Sequence, residues 1–412
     1  MGQRLLPDFR QGRASRGSGN GAADSLSAKT VGAMLRASRQ ALGLSQHRVS
    51  GLTAEQGIPV SRSAICDIER GCNMPGVESL VSLCDVLQLD PREILERVIL
   101  PAELVSDVAK CSIDQIRRRI SLLHWNCQYR AAVAVCSALL NRLELERSGD
   151  PAERRRLCAR TEITRAAGLR RCGRLQAAEA AARRALRLSA RDDYLLADSL
   201  VALAHLHMDE ALLPLAQAET DQAVCLAHAA GSPRMLAFAW AARAHCLYYS
   251  VRLEDAVEAN KRARGFSIEA SDERIQAGVE GSLGSCLLDL GHPSAARRQY
   301  MLAVELARKG RDRNGEASWQ IETGRIALHL DAPDEAERRA AAGLNIARTG
   351  DNPFSVFRGI WLQHQIARRR DSRKPDRQRL AHLKRLYPRV SVNKGIDVIR
   401  EFRSEILGLE DT

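Results

Sequence analysis

The chain has 412 residues, of which 45% are hydrophobic and 27% charged, and this length and balance suit a soluble protein of two or three domains. Aromatic residues make up only 4%, and an excess of Ala, Leu and Arg favours helix almost everywhere. The net charge of +12 permits nucleic-acid binding without proving it. Residues 29–100 are neutral, with eight basic and eight acidic side chains, and the tail before them carries +2, so about +10 lies beyond residue 100.

Residues 1–27 are rich in Gly, Ser and Arg, which predicts a disordered, mildly basic tail. They contain no apolar core of the kind that a secretory signal needs. No run of the chain reaches the roughly 18 apolar residues that a membrane span requires. We therefore expect a cytoplasmic protein with no membrane partner.

Eleven cysteines are scattered along the chain without a CxxC pair and without the Cys/His spacing of a zinc site. Most of them occupy apolar helical positions, where Cys behaves as a small hydrophobic residue. Reduced thiols follow from this pattern, and we expect neither a metal site nor a cofactor.

A compact module of five short helices is predicted in residues 28–99. Helix ends are marked by Gly residues that can adopt a left-handed conformation, and helix starts are marked by Ser or Asp caps. The predicted helices are Thr30–Ala41, Gln46–Gln56, Arg62–Glu69, Val77–Leu87 and a fifth that Asp90 caps, with Pro91 and Glu93 in its first turn.

The third of these helices follows a turn marked by Pro59, which cannot lie inside a helix. Ser61 is a good N-cap, and Ile65 and Ile68 are three residues apart, so they share one buried face. The polar side chains at the start of the helix point elsewhere. A helix built in this way has its N-terminal side chains available to contact another molecule.

The order LGLSQ, SRSAICDIERG, a Pro and then a Leu-rich helix resembles the XRE, or lambda-repressor-like, helix-turn-helix family. The resemblance covers residues 29–99 and implies that the third helix enters the major groove of double-stranded DNA. It implies base contacts by Arg62, Ser63 and Asp67, phosphate contacts by Ser45 and Gln46, and a partly buried structural salt bridge between Arg39 and Glu69. The full set of DNA-binding residues that it implies is Ser45, Gln46, Ser61, Arg62, Ser63, Ala64, Asp67 and Arg70.

This chain has about five more residues between Gln46 and Val60 than is usual in the family. Either the second helix is a turn longer or the loop after it is extended, and both would tilt the reading helix. Two other interpretations of the module remain: a polar third helix that only faces solvent, and a helix-turn-helix that is retained for protein contacts.

Five segments behind this module share a small residue at the same position, which indicates an internal repeat. The shared residues are Ala178, Ala218, Ala256, Ala296 and Ala336, with spacings of 40, 38, 40 and 40 residues. Small residues also recur twelve positions before each one, with Leu206 as the exception. The pattern resembles tetratricopeptide repeats with longer loops, and it implies an α-solenoid over residues 105–390, followed by a capping helix and tail over 391–412.

In such a solenoid the first helix of each pair lines a groove, and the residue after the small position points into it. A polar track with aromatic side chains results, suited to an extended peptide. The predicted groove residues are Arg170, His207, His245, Tyr249, Ser285, Asp289, Arg325 and His329. The basic run from Arg368 to Arg379 is either a solvated linker or a contact for DNA or an acidic partner.

The complete architecture is all-α, with the helix-turn-helix module followed by the solenoid, and it resembles the RNPP group of bacterial peptide-sensing regulators. The resemblance implies a sequence-specific transcriptional regulator, associated with the nucleoid in the bacterial cytoplasm. Its solenoid would form a homodimer and sense a peptide or protein ligand. The alternative is a tetratricopeptide scaffold whose helix-turn-helix makes weak DNA or protein contacts. An enzyme is disfavoured because GxxxxGK, HExxH and GxSxG motifs are absent.

Overall fold

The helices fall into two compact units, residues 1–106 and residues 107–412, called here the head and the solenoid. The computed structural model describes residues 20–89, 91, 94, 108, 111–145, 150–350, 352–370, 376–390 and 397–408. This part of the chain is helical with short turns and contains no β-strand, which confirms the all-α prediction.

The head contains four helices within the described residues: α1 (Asn20–Ala41), α2 (Gln46–Glu55), α3 (Arg62–Glu69) and α4 (Val77–Val86). The α3 bounds agree with the prediction. Helix α1 begins ten residues earlier than predicted, so residues 20–27 are helical rather than part of a disordered tail. An Ala-rich stretch without Pro precedes the predicted start and favours extension of the helix. Of the predicted fifth helix, Pro91 and Ile94 are helical, whereas Asp90 and Glu93 lie outside the described residues.

The core of the head joins α1 to α3 through a very close approach of the two helices. Val31 and Leu35 of α1 pack with Ile65 and Ile68 of α3, and each is at most 4% exposed. Gly32 makes this contact possible, because a Cβ atom there would lie 2.1 Å from the carbonyl oxygen of Ile68. The side of α3 that carries Ile65 and Ile68 is therefore fixed against α1.

The solenoid is a succession of antiparallel helices with short connections. The expected longer loops are therefore wrong, and the 40-residue period comes from long helices, most of them 16 or 17 residues. Its first helices are α5 (Ile113–Trp125), α6 (Tyr129–Leu145), α7 (Pro151–Arg171), α8 (Leu175–Leu188), α9 (Asp193–Asp209), α10 (Leu213–Ala229), α11 (Pro233–Tyr249) and α12 (Leu253–Glu269). The following helices are α13 (Glu273–Asp289), α14 (Pro293–Lys309), α15 (Arg313–His329), α16 (Pro333–Arg348), α17 (Pro353–Arg370), α18 (Arg377–Val390) and α19 (Asp397–Phe402), with a π-helical turn at Arg403–Leu407.

Helices α5 to α18 pair into seven hairpins, and the turn inside a hairpin repeats the same backbone conformation. A residue with positive φ follows the first helix in each of six hairpins, as a helix C-terminus commonly requires. These residues are Cys127, Gly173, Ala211, Val251, Gly291 and Asp331, with successive spacings of 46, 38, 40, 40 and 40 residues. The fold prediction of a repeated helical hairpin is therefore confirmed.

The second predicted repeat is out of register by two residues. Ala218 is exposed, whereas Ala216 is fully buried where α10 packs against α9. In the first helix of the same hairpin, Ala204 is fully buried and occupies the small position that had been assigned to Leu206. The corrected register removes the exception at Leu206, and it replaces His207 by His205 as the residue after the small position.

The C-terminal end of the solenoid is closed by an aromatic cluster. Phe402 of α19 packs against Phe357 and Trp361 of α17, and all three side chains are at most 2% exposed. Just before this cluster, the first arginines of the basic run form ion pairs: Arg368 with Glu405, Arg369 with Asp331, and Arg370 with Asp334 and Glu337. Residues 371–375 of that run lie outside the described residues.

Candidate DNA-reading surface and solenoid groove

Helix α3 begins at a well-formed cap. Ser61 has extended backbone angles, and its hydroxyl accepts a hydrogen bond from the Ala64 N–H at 3.2 Å. The Ser61 and Ser63 hydroxyls also lie 3.0 Å apart. Arg62 and Ser63 are exposed at this end of the helix, and Ala64 is half-buried. The end of α3 that the sequence predicted to read bases is therefore accessible.

Behind that surface, α3 is held by a charged network. Arg39 of α1 donates from both Nε and Nη2 to the Glu69 carboxylate, at 2.6 and 2.9 Å, and a further nitrogen donates to the Leu44 carbonyl. Gln46, at the start of α2, donates its side-chain N–H to the same carboxylate at 2.9 Å. Burial opposes ionisation of Glu69, but the hydrogen bonds from Arg39 and Gln46 outweigh it and lower the pKa of Glu69. One carboxylate thus ties α1, α2 and α3 together.

The additional residues before α3 form an extended loop, since α2 ends at Glu55. Gly57 adopts a φ of +83°, and the loop is pinned to α2 where Thr53 accepts from the Val60 N–H and Ser50 donates to the Val60 carbonyl. Gln56 at its start donates to Asp85 of α4. The loop is therefore anchored on both sides, and these anchors determine where α3 begins.

The remaining predicted DNA-contacting residues lie at the start of α2 and towards the C-terminal end of α3. Ser45 caps α2 by accepting from the Arg48 N–H at 3.1 Å. Asp67 is half-buried, and Arg70 is exposed at the C-terminal end of α3. Among the described residues, neither Arg62 nor Arg70 forms an ion pair. Both guanidinium groups are therefore available to an external partner.

In the solenoid, a cluster of polar side chains forms on the first helices of three successive hairpins, and we call it the groove cluster. It contains Arg170, His205, Asp209, His245 and Tyr249. Arg170 forms a two-pronged pair with Asp209, at 2.7 and 3.2 Å. The rings of His205 and His245 lie 6.2 Å apart, and those of His245 and Tyr249 lie 6.0 Å apart.

Burial favours the neutral form of both histidines of the groove cluster. Burial, together with the positive charge of Arg170, lowers the pKa of His245 to about 4 and that of His205 well below its usual range. Neutral imidazole rings donate at one nitrogen and accept at the other, so they suit amide groups. His205 was not among the predicted groove residues. The 38-residue spacing from Ala166 to Ala204 could have indicated it, because it makes Ala204 the small residue and His205 the residue after it.

The other predicted groove residues lie further along the solenoid. Asp289 accepts a hydrogen bond from the Tyr248 hydroxyl at 2.6 Å, which continues the groove cluster into the next hairpin. Ser285 meets the buried Tyr300 hydroxyl at 2.8 Å. Arg325 pairs with the buried Glu322 at 2.8 Å, and His329 is exposed. The structure thus gathers the predicted residues Arg170, His245, Tyr249 and Asp289, whereas Ser285 and Arg325 have partners inside their own hairpins.

His207 faces α10 rather than the groove cluster. It is 4% exposed, and its Nδ1 lies 2.8 Å from a carboxylate oxygen of Glu219. This hydrogen bond raises the pKa of His207. The pair holds α9 to α10 and is a structural contact.

Raising the pH should therefore destabilise the solenoid around His207. The folded-state pKa is above the unfolded value of about 6.5, so the stabilisation is fully present below that value and is lost as pH rises through the folded pKa. We expect the thermal unfolding temperature to fall over this pH range in the wild type. The His207→Gln variant should lose this part of the pH dependence, and an unchanged pH profile in that variant would contradict the assignment.

Comparison with protein families identifies the head. Residues 30–96 match the family described as a helix-turn-helix domain, so the predicted helix-turn-helix is confirmed over that range. A search of the curated proteins found no match. Across the described residues, no helix combines the length and apolar character needed to cross a lipid bilayer.

Several solved structures match most of the chain at low sequence identity. A Rap protein in complex with competence and sporulation factor matches with a TM-score of 0.51 and 11% identity, covering 92% of this chain and 97% of that one. PlcR of Bacillus thuringiensis, in complex with the peptide PapR7 and DNA, matches with a TM-score of 0.43 and 15% identity over 71% of this chain and 99% of that one. The competence regulator ComR of Streptococcus vestibularis has a TM-score of 0.34 and 12% identity, over 73% and 99%. At these identities, the Rap match shows a shared helical-repeat fold.

Proposed function

We propose that this protein is a sequence-specific DNA-binding transcriptional regulator of the bacterial cytoplasm, whose solenoid senses a peptide or protein ligand. The observation that carries the proposal is the presentation of α3. Its Ile face is fixed against α1 and its Glu69 is bound by Arg39 and Gln46, while Arg62 and Ser63 are exposed at its N-terminal end. A helix held in this way can reach base edges in a major groove without rearrangement.

The charges of the head fit base reading. The head is close to neutral, so non-specific attraction to phosphates is modest, and affinity must come from particular contacts. Arg62 can donate two hydrogen bonds to a guanine, and Asp67 can accept from a cytosine amino group. In this proposal, Arg70 and the N-terminus of α2, which Ser45 caps, contact phosphates.

A homodimer would give the regulator its specificity. One head reads only a few base pairs, whereas two heads related by a two-fold axis read a palindrome whose half-sites lie about one helical turn, or roughly 34 Å, apart. We place the dimer contacts in the solenoid and expect ligand binding there to alter the spacing of the heads. Sedimentation of the purified protein should show a dimer, and a monomer at micromolar concentration would contradict this part of the proposal.

The solenoid supports a sensing role because the groove cluster combines a charged pair, neutral imidazoles and a phenol on adjoining helices. These groups can bind the amides and the charged ends of an extended peptide. The proteins named PlcR and Rap were solved with a peptide and with a competence and sporulation factor, respectively, which is consistent with this assignment.

The test of the proposed function is selection of genomic DNA fragments by the full-length protein, with and without extract of the source cells. A recovered palindromic consensus would support the regulator, and a consensus or affinity that changes with extract would support the sensor. Recovery of DNA without any sequence preference would instead favour the scaffold interpretation.

Replacing Arg62 by Ala should weaken binding to the selected site by about 1–3 kcal/mol and relax one base position. The Arg62→Lys variant is the matched control, because it retains the charge and loses the planar fork. It should bind random DNA as the wild type does and still lose discrimination at that base. Equal losses on selected and random DNA in Arg62→Ala would show that Arg62 contacts only the phosphate backbone. Fluorescence anisotropy at fixed salt measures all of these affinities.

A further inference from the structure

A cavity of about 430 Å³ lies among the first helices of four successive hairpins, α5, α7, α9 and α11. Three arginines line it, Arg117, Arg160 and Arg234, against the single carboxylate of Asp198. Cavities of this volume are large enough for a small organic group or an amino-acid side chain with its backbone. Arginine keeps its charge at every physiological pH. Arg117 pairs with Asp114 at 3.4 Å and Arg234 with Asp272 at 2.9 Å, so Arg160 is the one lining arginine without an ion pair among the described residues.

The polar groups of the cavity differ in what they still offer to a ligand. Arg234 is already engaged, since it donates to Asp272 and to the Tyr194 hydroxyl at 2.9 Å each. The Arg160 guanidinium and the Asp198 carboxylate have no hydrogen-bond or ion-pair partner within the described part of the chain. The Tyr194 oxygen accepts from Arg234, so its O–H is available to donate. The cavity therefore presents a free cation, a free hydroxyl donor and a free carboxylate.

Asp198 takes up a proton more readily than an exposed aspartate. Burial raises the pKa of Asp198 to about 6, even though Arg234 and Arg160 act in the opposite direction. A carboxyl group in this state can accept a hydrogen bond from an amide N–H, and it can itself be protonated when a second carboxylate approaches.

The cavity lies on the same side of α9 as the groove cluster. Tyr194, Asp198, His205 and Asp209 follow one another along α9 at intervals of four, seven and four residues. These intervals place all four on one side of the helix. Eleven residues separate Asp198 from Asp209, about 16 Å along the helix axis. About five residues of extended peptide span that distance, so one ligand can reach both places.

We propose that the ligand of the solenoid is an acidic peptide, and that one of its carboxylates binds in this cavity against Arg160 while the adjoining N–H donates to Asp198. This inference rests on the proposed sensing function and specifies its ligand class. The guanidinium of Arg160 forms the charge-assisted contact, and the Tyr194 hydroxyl adds a second donor. The rest of the peptide lies along the groove cluster.

The experiment begins with selection of random heptapeptides, displayed with free C-termini, on the full-length protein. The recovered sequences should share an Asp, a Glu or the terminal carboxylate at one fixed position. A fluorescein-labelled recovered peptide is then compared with the analogue in which that carboxylate is an amide. We expect the amide analogue to bind about tenfold more weakly or worse, as for the loss of a charge-assisted hydrogen bond.

The matched variants are Arg160→Gln in the cavity and Arg187→Gln on α8, an exposed arginine outside it. Arg160→Gln should weaken the acidic peptide about tenfold and leave the amide analogue nearly unchanged, whereas Arg187→Gln should affect neither. If the combined loss of affinity, for Arg160→Gln with the amide analogue, is smaller than the sum of the two separate losses, then Arg160 contacts that carboxylate. A recovered consensus without a carboxylate, or losses that simply add, would overturn the acidic-peptide proposal and leave the sensor intact.

Recovery of no peptide at all would overturn both this inference and peptide sensing. DNA selection by the same preparation reports separately on the regulator. Circular dichroism of each variant confirms that the helical content is retained, so a change of affinity cannot come from unfolding.

Discussion

Glu69→Ala is expected to destabilise the head by about 3–5 kcal/mol, the usual cost of removing one partner from a buried ion pair. The Glu69 side chain is 4% exposed and that of Arg39 13%, so the arginine is left with little water to replace the carboxylate. Gln46 loses its acceptor at the same time. Because small domains are stable by only about 5–15 kcal/mol, this loss removes a large fraction of the stability of the head, and it should raise the unfolded population of the head at least ~100-fold and weaken specific DNA binding.

The stability of the head and that of the solenoid can be measured separately in the full-length chain. All four tryptophans, Trp125, Trp240, Trp319 and Trp361, belong to the solenoid. Hydrogen exchange measured by mass spectrometry should show loss of protection in peptides from α1 to α4, while the tryptophan-monitored unfolding of the solenoid remains as in the wild type.

The matched control for Glu69 is Glu55→Ala. Glu55 pairs with Arg48 at 3.4 Å, and both side chains are about 60% exposed, so the change should cost at most about 1 kcal/mol. If hydrogen exchange in the head peptides were the same in Glu69→Ala and Glu55→Ala, the central role assigned to the Glu69 network would be wrong.

Glu322→Gln is expected to destabilise the solenoid by about 3–5 kcal/mol. Glu322 of α15 is 5% exposed, and it accepts hydrogen bonds from Arg325 at 2.8 Å and from Arg358 of α17. Burial alone would raise the pKa of Glu322, but the two arginines outweigh it and lower that pKa to about 2. The amide keeps the shape of the side chain while leaving two guanidinium groups without a counter-charge.

Urea unfolding followed by tryptophan fluorescence measures the effect of Glu322→Gln, since Trp319 and Trp361 lie on the same two helices as the network. The control is Glu258→Gln, whose partner Lys261 lies at 2.5 Å with both side chains more than half exposed. We expect a change within about 1 kcal/mol for that variant. If Glu322→Gln unfolded at the same urea concentration as Glu258→Gln, the buried network would contribute nothing to stability.

Local signals predicted much of the architecture. The bounds of α3 were predicted correctly because a cap at Ser61 and the stop after Glu69 depend on residues a few positions away. The pairing of Arg39 with Glu69, implied by the family resemblance, is present in the structure. The repeat period was also readable, since small residues must recur wherever two helices approach closely.

Non-local contacts account for the differences. In the second repeat, two alanines two residues apart look alike in sequence, and only packing of α10 on α9 distinguishes the buried Ala216 from the exposed Ala218. The charges of Arg368, Arg369 and Arg370 suggested a linker or a binding surface, yet their acids lie 33 to 38 residues away in the chain. The extra residues before α3 allowed two conformations, and the contacts of Gln56 and Thr53 select the anchored loop.

The sequence by itself determined the all-α class, the helix-turn-helix motif and the repeated hairpins, because caps, periodicity and small residues act within one or two helical turns. Only the tertiary structure decided which polar side chains meet. His205 rather than His207 joins the groove cluster, and Arg160 and Asp198 share a cavity, because a two-residue shift rotates a helix by more than half a turn and so changes which residues face the groove.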